Sequence, residues 1–239
     1  MNLLGGCALS VDGELVPGVA ANFFRIAAYI VLSGIHGTVP RRRISALLWS
    51  DAEDSKAGAN LRQALARIRH VQQEHRFRLI ETNHSTIYVV PNHDVECDLI
   101  ELIDCLSGRR GTTTDLSTIY TGELLADLDE AGVGFEEWLN VQRDKLRNDF
   151  ADRMIAAIAQ DSSLSHAERA ICAHRLLAID PYNEEAYRCL MREAAEHRQI
   201  ARLHYLYGTI RSLLAEELGV PPAPETERLY HELLRMMMV

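Results

Sequence analysis

Residues 57–71, AGANLRQALARIRHV, carry three arginines and a histidine but no acid, inside a chain whose formal net charge is −9. At ~100° per residue, Leu61, Ala64, Leu65, Ile68 and Val71 share one helical face. Arg62, Gln63, Ala66 and His70 lie opposite, with Arg67 and Arg69 flanking them. The apolar stripe is a core face. On the open face, arginine and glutamine are side chains that make paired hydrogen bonds to purine edges in a DNA major groove, and small Ala59 and Ala66 permit close approach. A solvated cationic face has the same composition, so the helix alone leaves both readings open.

No other constellation assembles a reaction centre. His231-Glu232-Leu233-Leu234-Arg235 begins like a zinc-protease helix but has arginine where the second histidine is required. His93, Cys97 and Cys105 match no structural zinc spacing and lack a fourth ligand nearby. There is no nucleophile elbow and no phosphate-binding glycine loop, and Gly132-x-Gly134 reads as a plain loop. Trp49 and Trp138 sit in apolar helical patterns and are expected to anchor cores. Met236 to Met238 read as a soft interface patch or, on balance, a frayed end. Neither catalysis nor a cofactor or metal is expected.

Composition narrows the compartment and the partners. Five cysteines without a C-x-x-C pair suit reduced thiols, and hence the cytoplasm. Leu4-Gly5-Gly6-Cys7 looks like a lipoprotein cleavage box, yet only three residues precede it, so lipidation is not expected. The most apolar run, Ile26 to Leu32, falls far short of the ~20 residues of a membrane span. Charge is split unevenly: residues 1–95 carry +2 and residues 96–239 carry −11. Within residues 39–80 there are 9 basic and 4 acidic side chains. That asymmetry suggests a nucleic-acid face on the first part and a different kind of partner for the second.

The elements around the cationic helix can be read in order. LLGGCALSVDGELVP alternates about Asp12-Gly13 and predicts a β-hairpin. NFFRIAAYIVLSG and RRRISALLWSD predict two helices, the second with Ile44, Leu47 and Leu48 recurring on one side. The cationic helix is the third. Leu79 to Thr82 and Thr86 to Val90 then read as strands joined at Asn83-His84. Two strands, three helices and a final hairpin make a winged-helix plan, with the domain boundary expected between residues 95 and 96, in a linker over Pro91 to Glu96. Beyond it the chain reads as all α, with Asn183 as an N-cap ahead of two acids. Ala167 and Ala201 stand 34 residues apart, close to the tetratricopeptide period.

The succession LLGGCALSVDGELV, RRRISALLW, ANLRQALARIR and LIETNHSTIYVV resembles the amino-terminal winged helix of the Streptomyces antibiotic regulatory protein family. IYTGELLADL with FEEWLNVQRDKL, then HRLLAIDPYNEEAYRCLMREAAEHRQIARLHYLY, and finally LLAEELGVPPAPETERLYHELL resemble that family's bacterial transcriptional activation domain. The resemblance implies a mainly α protein with a small β component: a winged helix-turn-helix over residues 1–95 and a tetratricopeptide-like helical domain over residues 96–239. It implies a sequence-specific regulator, an activator, that binds promoter repeats on double-stranded DNA as a homodimer and contacts RNA polymerase. The recognition helix falls on residues 59–71. The implied DNA-binding set is Arg41, Arg42 and Arg43 at the start of the preceding helix, then Lys56, Asn60, Arg62, Gln63, Arg67, Arg69 and His70, with Asn83 and His84 at the wing tip. The competing reading is a helical-repeat adaptor whose winged helix binds no DNA.

Overall fold

The tight turn at Asp12-Gly13 closes the first hairpin, because both residues adopt positive φ, 52° and 84°, the geometry that matches the twist of paired strands. It joins β1 (Ser10–Val11) to antiparallel β2 (Glu14–Leu15). The computed structural model describes the chain apart from residues 34–36, 91–94, 129–130, 161–163 and 239. Two compact units emerge: Met1–Arg110 with Ile119–Leu146, and Gly111–Thr118 with Arg147–Val239.

In the first unit, α1 (Ala21–Ser33), α2 (Arg41–Leu48) and α3 (Asp54–Glu74) surround a core that includes Phe23, Ile26, Ile30, Ile44, Leu48, Leu61, Leu65 and Ile68. The wing is the hairpin of β4 (Ile80–Thr82) and β5 (Thr86–Val89). A further strand, β3 (Thr38–Pro40), was not foreseen; it pairs with β5, giving the antiparallel order β3-β5-β4. Three residues are too few to show alternation, and a proline argues against strand. Pro40 is tolerated because β3 is an edge strand and proline ends it.

The charge boundary at residue 95 and the packing division do not coincide. Pro91 to Asp94 of the expected linker lie outside the described residues. Just beyond, Asp98 opens α4 (Asp98–Leu106), and its carboxylate accepts the backbone N–H groups of Leu3 at 2.8 Å and Leu4 at 3.0 Å. Leu4 also bridges Leu124, and Leu125 N–H donates to Leu3 at 2.8 Å. The first residues of the chain are thus held by segments well past residue 95.

The second unit is helical: α5 (Thr113–Ile119) over residues 113–118, the latter part of α6 (Val133–Gln160), α7 (His166–Leu177), α8 (Glu184–Glu196), α9 (Ile200–Leu213), a π-helical turn at Leu214–Leu218 and α10 (Pro224–Met237). Ser165 and Glu168 form a reciprocal capping box on α7. Asn183 caps α8 as expected, accepting from Ala186 N–H at 3.2 Å. Packing runs α7 on α8, α8 on α9, and α10 on both α8 and α9. Helices α7 and α9 begin 34 residues apart, at positions 166 and 200, so the tetratricopeptide-like period is carried by the helices themselves. The last helix is pinned by Arg188, which donates to Thr226 Oγ1 at 2.8 Å, and by Glu184, which accepts from Ala223 N–H at 2.9 Å. Among the described residues, no helix is long and apolar enough to cross a membrane.

Candidate nucleic-acid interface

The face division read from AGANLRQALARIRHV holds residue by residue. Leu61, Ala64, Leu65 and Ile68 are buried and Val71 is half-buried, while Arg62, Gln63, Ala66, Arg67, Arg69 and His70 are exposed. Lys56 is exposed one turn earlier and Asn60 is half-buried. Among the described residues, no hydrogen bond or ion pair engages the side chains of Arg62, Gln63, Arg67 or Arg69. Arg62 folds along its own helix, its Nη1 lying 3.7 Å from where a Cβ on Gly58 would stand. His70 differs from the rest: its Nε2 is 3.7 Å from Glu74 Oε2, one turn on in the same helix.

The arginines at the start of α2 divide by role. Arg42 and Arg43 are exposed. Arg41 is half-buried, donating its backbone N–H to Ser85 O at 2.9 Å and pointing Nη1 at Asn83 O at 3.5 Å. At the wing tip, Asn83 Oδ1 accepts from Ser85 N–H at 3.0 Å and Thr86 N–H at 2.8 Å. Asn83 therefore builds the turn, and exposed His84 is the side chain at the tip with a free reach. Arg25, the base in the first helix, is buried and hydrogen-bonded to Asn22 Oδ1 at 3.1 Å.

Two features escaped the sequence reading. Gln72 lies buried on the core face of α3 and hydrogen-bonds the backbone of Leu79 and Ile80. Its spacing from Leu61, Leu65 and Ile68 was the available signal. The second is Gly132-x-Gly134, which is more than a loop. A Cβ on Gly132 would lie 3.0 Å from Leu48 O and from Ser50 Oγ, and Gly134 N–H donates to Ser50 Oγ at 3.3 Å. This lead-in to α6 thus rests on the turn between α2 and α3. Trp138, a turn into α6, donates Nε1–H to Ser33 Oγ at 3.0 Å and packs edge-on against Tyr29, which makes it the anchor its pattern suggested.

The thiols carry no site chemistry. Cys97, Cys105, Cys172 and Cys189 are buried, Cys7 is half-buried, and none of the five is in a disulfide. Burial pushes the Cys97 and Cys189 thiols up to about 11. Burial, then the neighbouring Asp127, raises Cys7 further. Among the described residues, no cluster of ligands could hold a metal; His93 lies outside them. His231 is exposed on α10 beside Tyr230.

Known proteins share this arrangement. Residues 115–234 match the family described as bacterial transcriptional activator domain. Two curated relatives, both called transcriptional regulatory protein MoaR1, come from Mycobacterium tuberculosis (strain ATCC 25618 / H37Rv) and Mycobacterium bovis (strain BCG / Pasteur 1173P2). Each is 24% identical over 257 residues, spanning 99% of this chain and 79% of the relative. A solved structure of M. tuberculosis EmbR in complex with a low-affinity phosphopeptide is similar at a TM-score of 0.61 and 18% identity, over 98% of this chain. The chain spans 64% of the length of that structure, and the likeness is one of fold: a winged helix followed by a helical domain. With half its length matching that family and the winged helix ahead of it, the chain belongs to the bacterial transcriptional activator domain family, among transcriptional regulators of the Streptomyces antibiotic regulatory protein type.

Proposed function

We propose that this regulator binds double-stranded DNA sequence-specifically through α3 and activates transcription, its helical part mediating homodimerisation and contact with RNA polymerase. The observation that carries the reading is the open face of α3, where Arg62, Gln63, Arg67 and Arg69 are exposed without a protein partner among the described residues, in a chain of net charge −9. Four cationic or amide side chains held unpaired on one rigid helix are a surface made for an anionic partner with base edges. Arg42, Arg43 and Lys56 supply the surrounding phosphate contacts, and His84 reaches from the wing. One winged helix covers a short site, so specificity calls for two copies on adjacent repeats. The relatives' designation as transcriptional regulators supports the reading.

The test is selection of a duplex from a random-sequence pool by the full chain, followed by titration on that duplex and a scrambled one at several salt concentrations. A selected repeat bound more tightly than the scramble, with affinity falling as salt rises, is the expected result. Sedimentation on that duplex should show two chains per site. A folded chain that enriches no sequence and binds no duplex would transfer the winged helix to protein contacts, as an adaptor.

A further inference from the structure

Gln72 occupies a position that a leucine would fill. It continues the core stripe of α3 after Leu61, Leu65 and Ile68, and is only 5% exposed. A buried amide is unfavourable unless its polar atoms are satisfied, and here the satisfaction is specific. Oε1 accepts the N–H groups of Leu79 at 2.9 Å and Ile80 at 2.8 Å, and Nε2 donates to Ile80 O at 2.9 Å. Those backbone groups stand at the root of the wing. Strand β4 is an edge strand in the order β3-β5-β4, so Gln72 acts toward its outer edge as a neighbouring strand would. Between the two, the chain reverses through Arg76 at a φ of 56°, a left-handed conformation unusual for a residue with a side chain. At the far end of the hairpin, Arg41 holds Ser85 and Asn83. The wing is therefore clamped to α3 at its root and to α2 near its tip.

We infer that Gln72 is a positioning residue for DNA recognition: its side chain sets the wing against α3, so that His84 and the α3 arginines meet one duplex in a single register. The inference rests on the DNA-binding reading above. A side chain that merely filled the core would affect folding alone, whereas one that positions the wing couples energetically to the wing tip. The coupling is measurable as a double-mutant cycle.

The experiment titrates the full chain on its selected duplex, with Gln72→Leu, His84→Ala and the double variant, folding being checked by circular dichroism. Gln72→Leu removes all three hydrogen bonds and should weaken binding about tenfold. His84→Ala should weaken the parent and cost little more once Gln72→Leu is present. Gln72→Glu keeps the acceptor for Leu79 and Ile80 but sets an oxygen against Ile80 O where the donor stood, so it should weaken binding at least as much as Gln72→Leu. Gln72→Met, uncharged and of the same length, carries the cycle if Gln72→Leu does not fold. Additive effects, or a folded Gln72→Leu that binds as the parent does, overturn the positioning role. A harmless His84→Ala overturns it too, since there is then no wing contact to position. A parent that binds no duplex overturns the DNA-binding reading itself, and its own titration distinguishes that failure.

Discussion

Arg62, Arg67 and Arg69 have the same chemistry but different places on α3, and their substitutions separate base reading from phosphate contact. Arg62→Ala or Arg67→Ala should lose ~1–3 kcal/mol on the selected duplex and relax base preference there, whereas Arg69→Ala should weaken all sequences alike and lower the salt slope by about one unit. Titrations on selected and scrambled duplexes distinguish them; equal losses on both for all three would make the face purely electrostatic. Leu65, buried beneath them at 5% exposure, should instead lower folding stability by ~2–5 kcal/mol when replaced by alanine, read by denaturant unfolding. The thiols give a third outcome at this scale. Because burial holds Cys97 and Cys189 at about 11, their thiolate fraction at neutral pH is small. Burial and the neighbouring Asp127 hold the Cys7 thiol higher still, so native protein should alkylate slowly at every cysteine, half-buried Cys7 included, and rapidly only on unfolding. Residue placement was legible wherever periodicity decided it, as on α3. Gln72 and Asn83 were not, since their roles depend on backbone groups that only the folded hairpin brings within reach.

At the scale of elements, the helix-turn-helix is braced from outside itself. The lead-in to α6 rests on the end of α2, with Gly132 admitting the approach and Ser50 accepting from Gly134 N–H. Gly132→Ala would push a methyl to 3.0 Å from Leu48 O, a backbone atom with little freedom to yield. We expect a loss of about 1–3 kcal/mol in stability, measured by thermal or urea unfolding, with weaker DNA binding as the turn before α3 shifts. An unchanged melting transition would mean that the contact is loose. The contact was invisible in the sequence because glycines so spaced also mark ordinary loops. The same limit explains β3: its identity as a strand comes from pairing with β5, not from any pattern within Thr38–Pro40. The wing hairpin, by contrast, carried alternation of its own and the helices of the first unit an apolar periodicity, while α7 and α8 carry side-chain caps.

At the scale of the molecule, charge and packing draw different boundaries. The basic balance ends near residue 95, but a fragment cut there loses Asp98, whose carboxylate satisfies Leu3 and Leu4 N–H. It also loses the buried side chains of Leu99, Leu102, Leu124, Leu125 and Phe135, and Trp138, which bonds Ser33. Each buried N–H left without an acceptor is unfavourable by ~1–3 kcal/mol, and the exposed apolar surface adds to that. A fragment of residues 1–146 keeps all of these groups and should unfold in one cooperative transition. The 1–95 fragment should melt at least ~8 °C lower, since about 1 kcal/mol corresponds to roughly 4–8 °C in a domain of that size. Both contain all of α3 and the wing, so below their transitions both should bind duplex DNA with similar salt slopes, and more weakly than the full chain if the helical part supplies the dimer. Differential scanning calorimetry on the two fragments decides the matter. Equal melting temperatures would show that α4 and the start of α6 contribute nothing to the winged helix, and would return the boundary to the place where the charge changes sign.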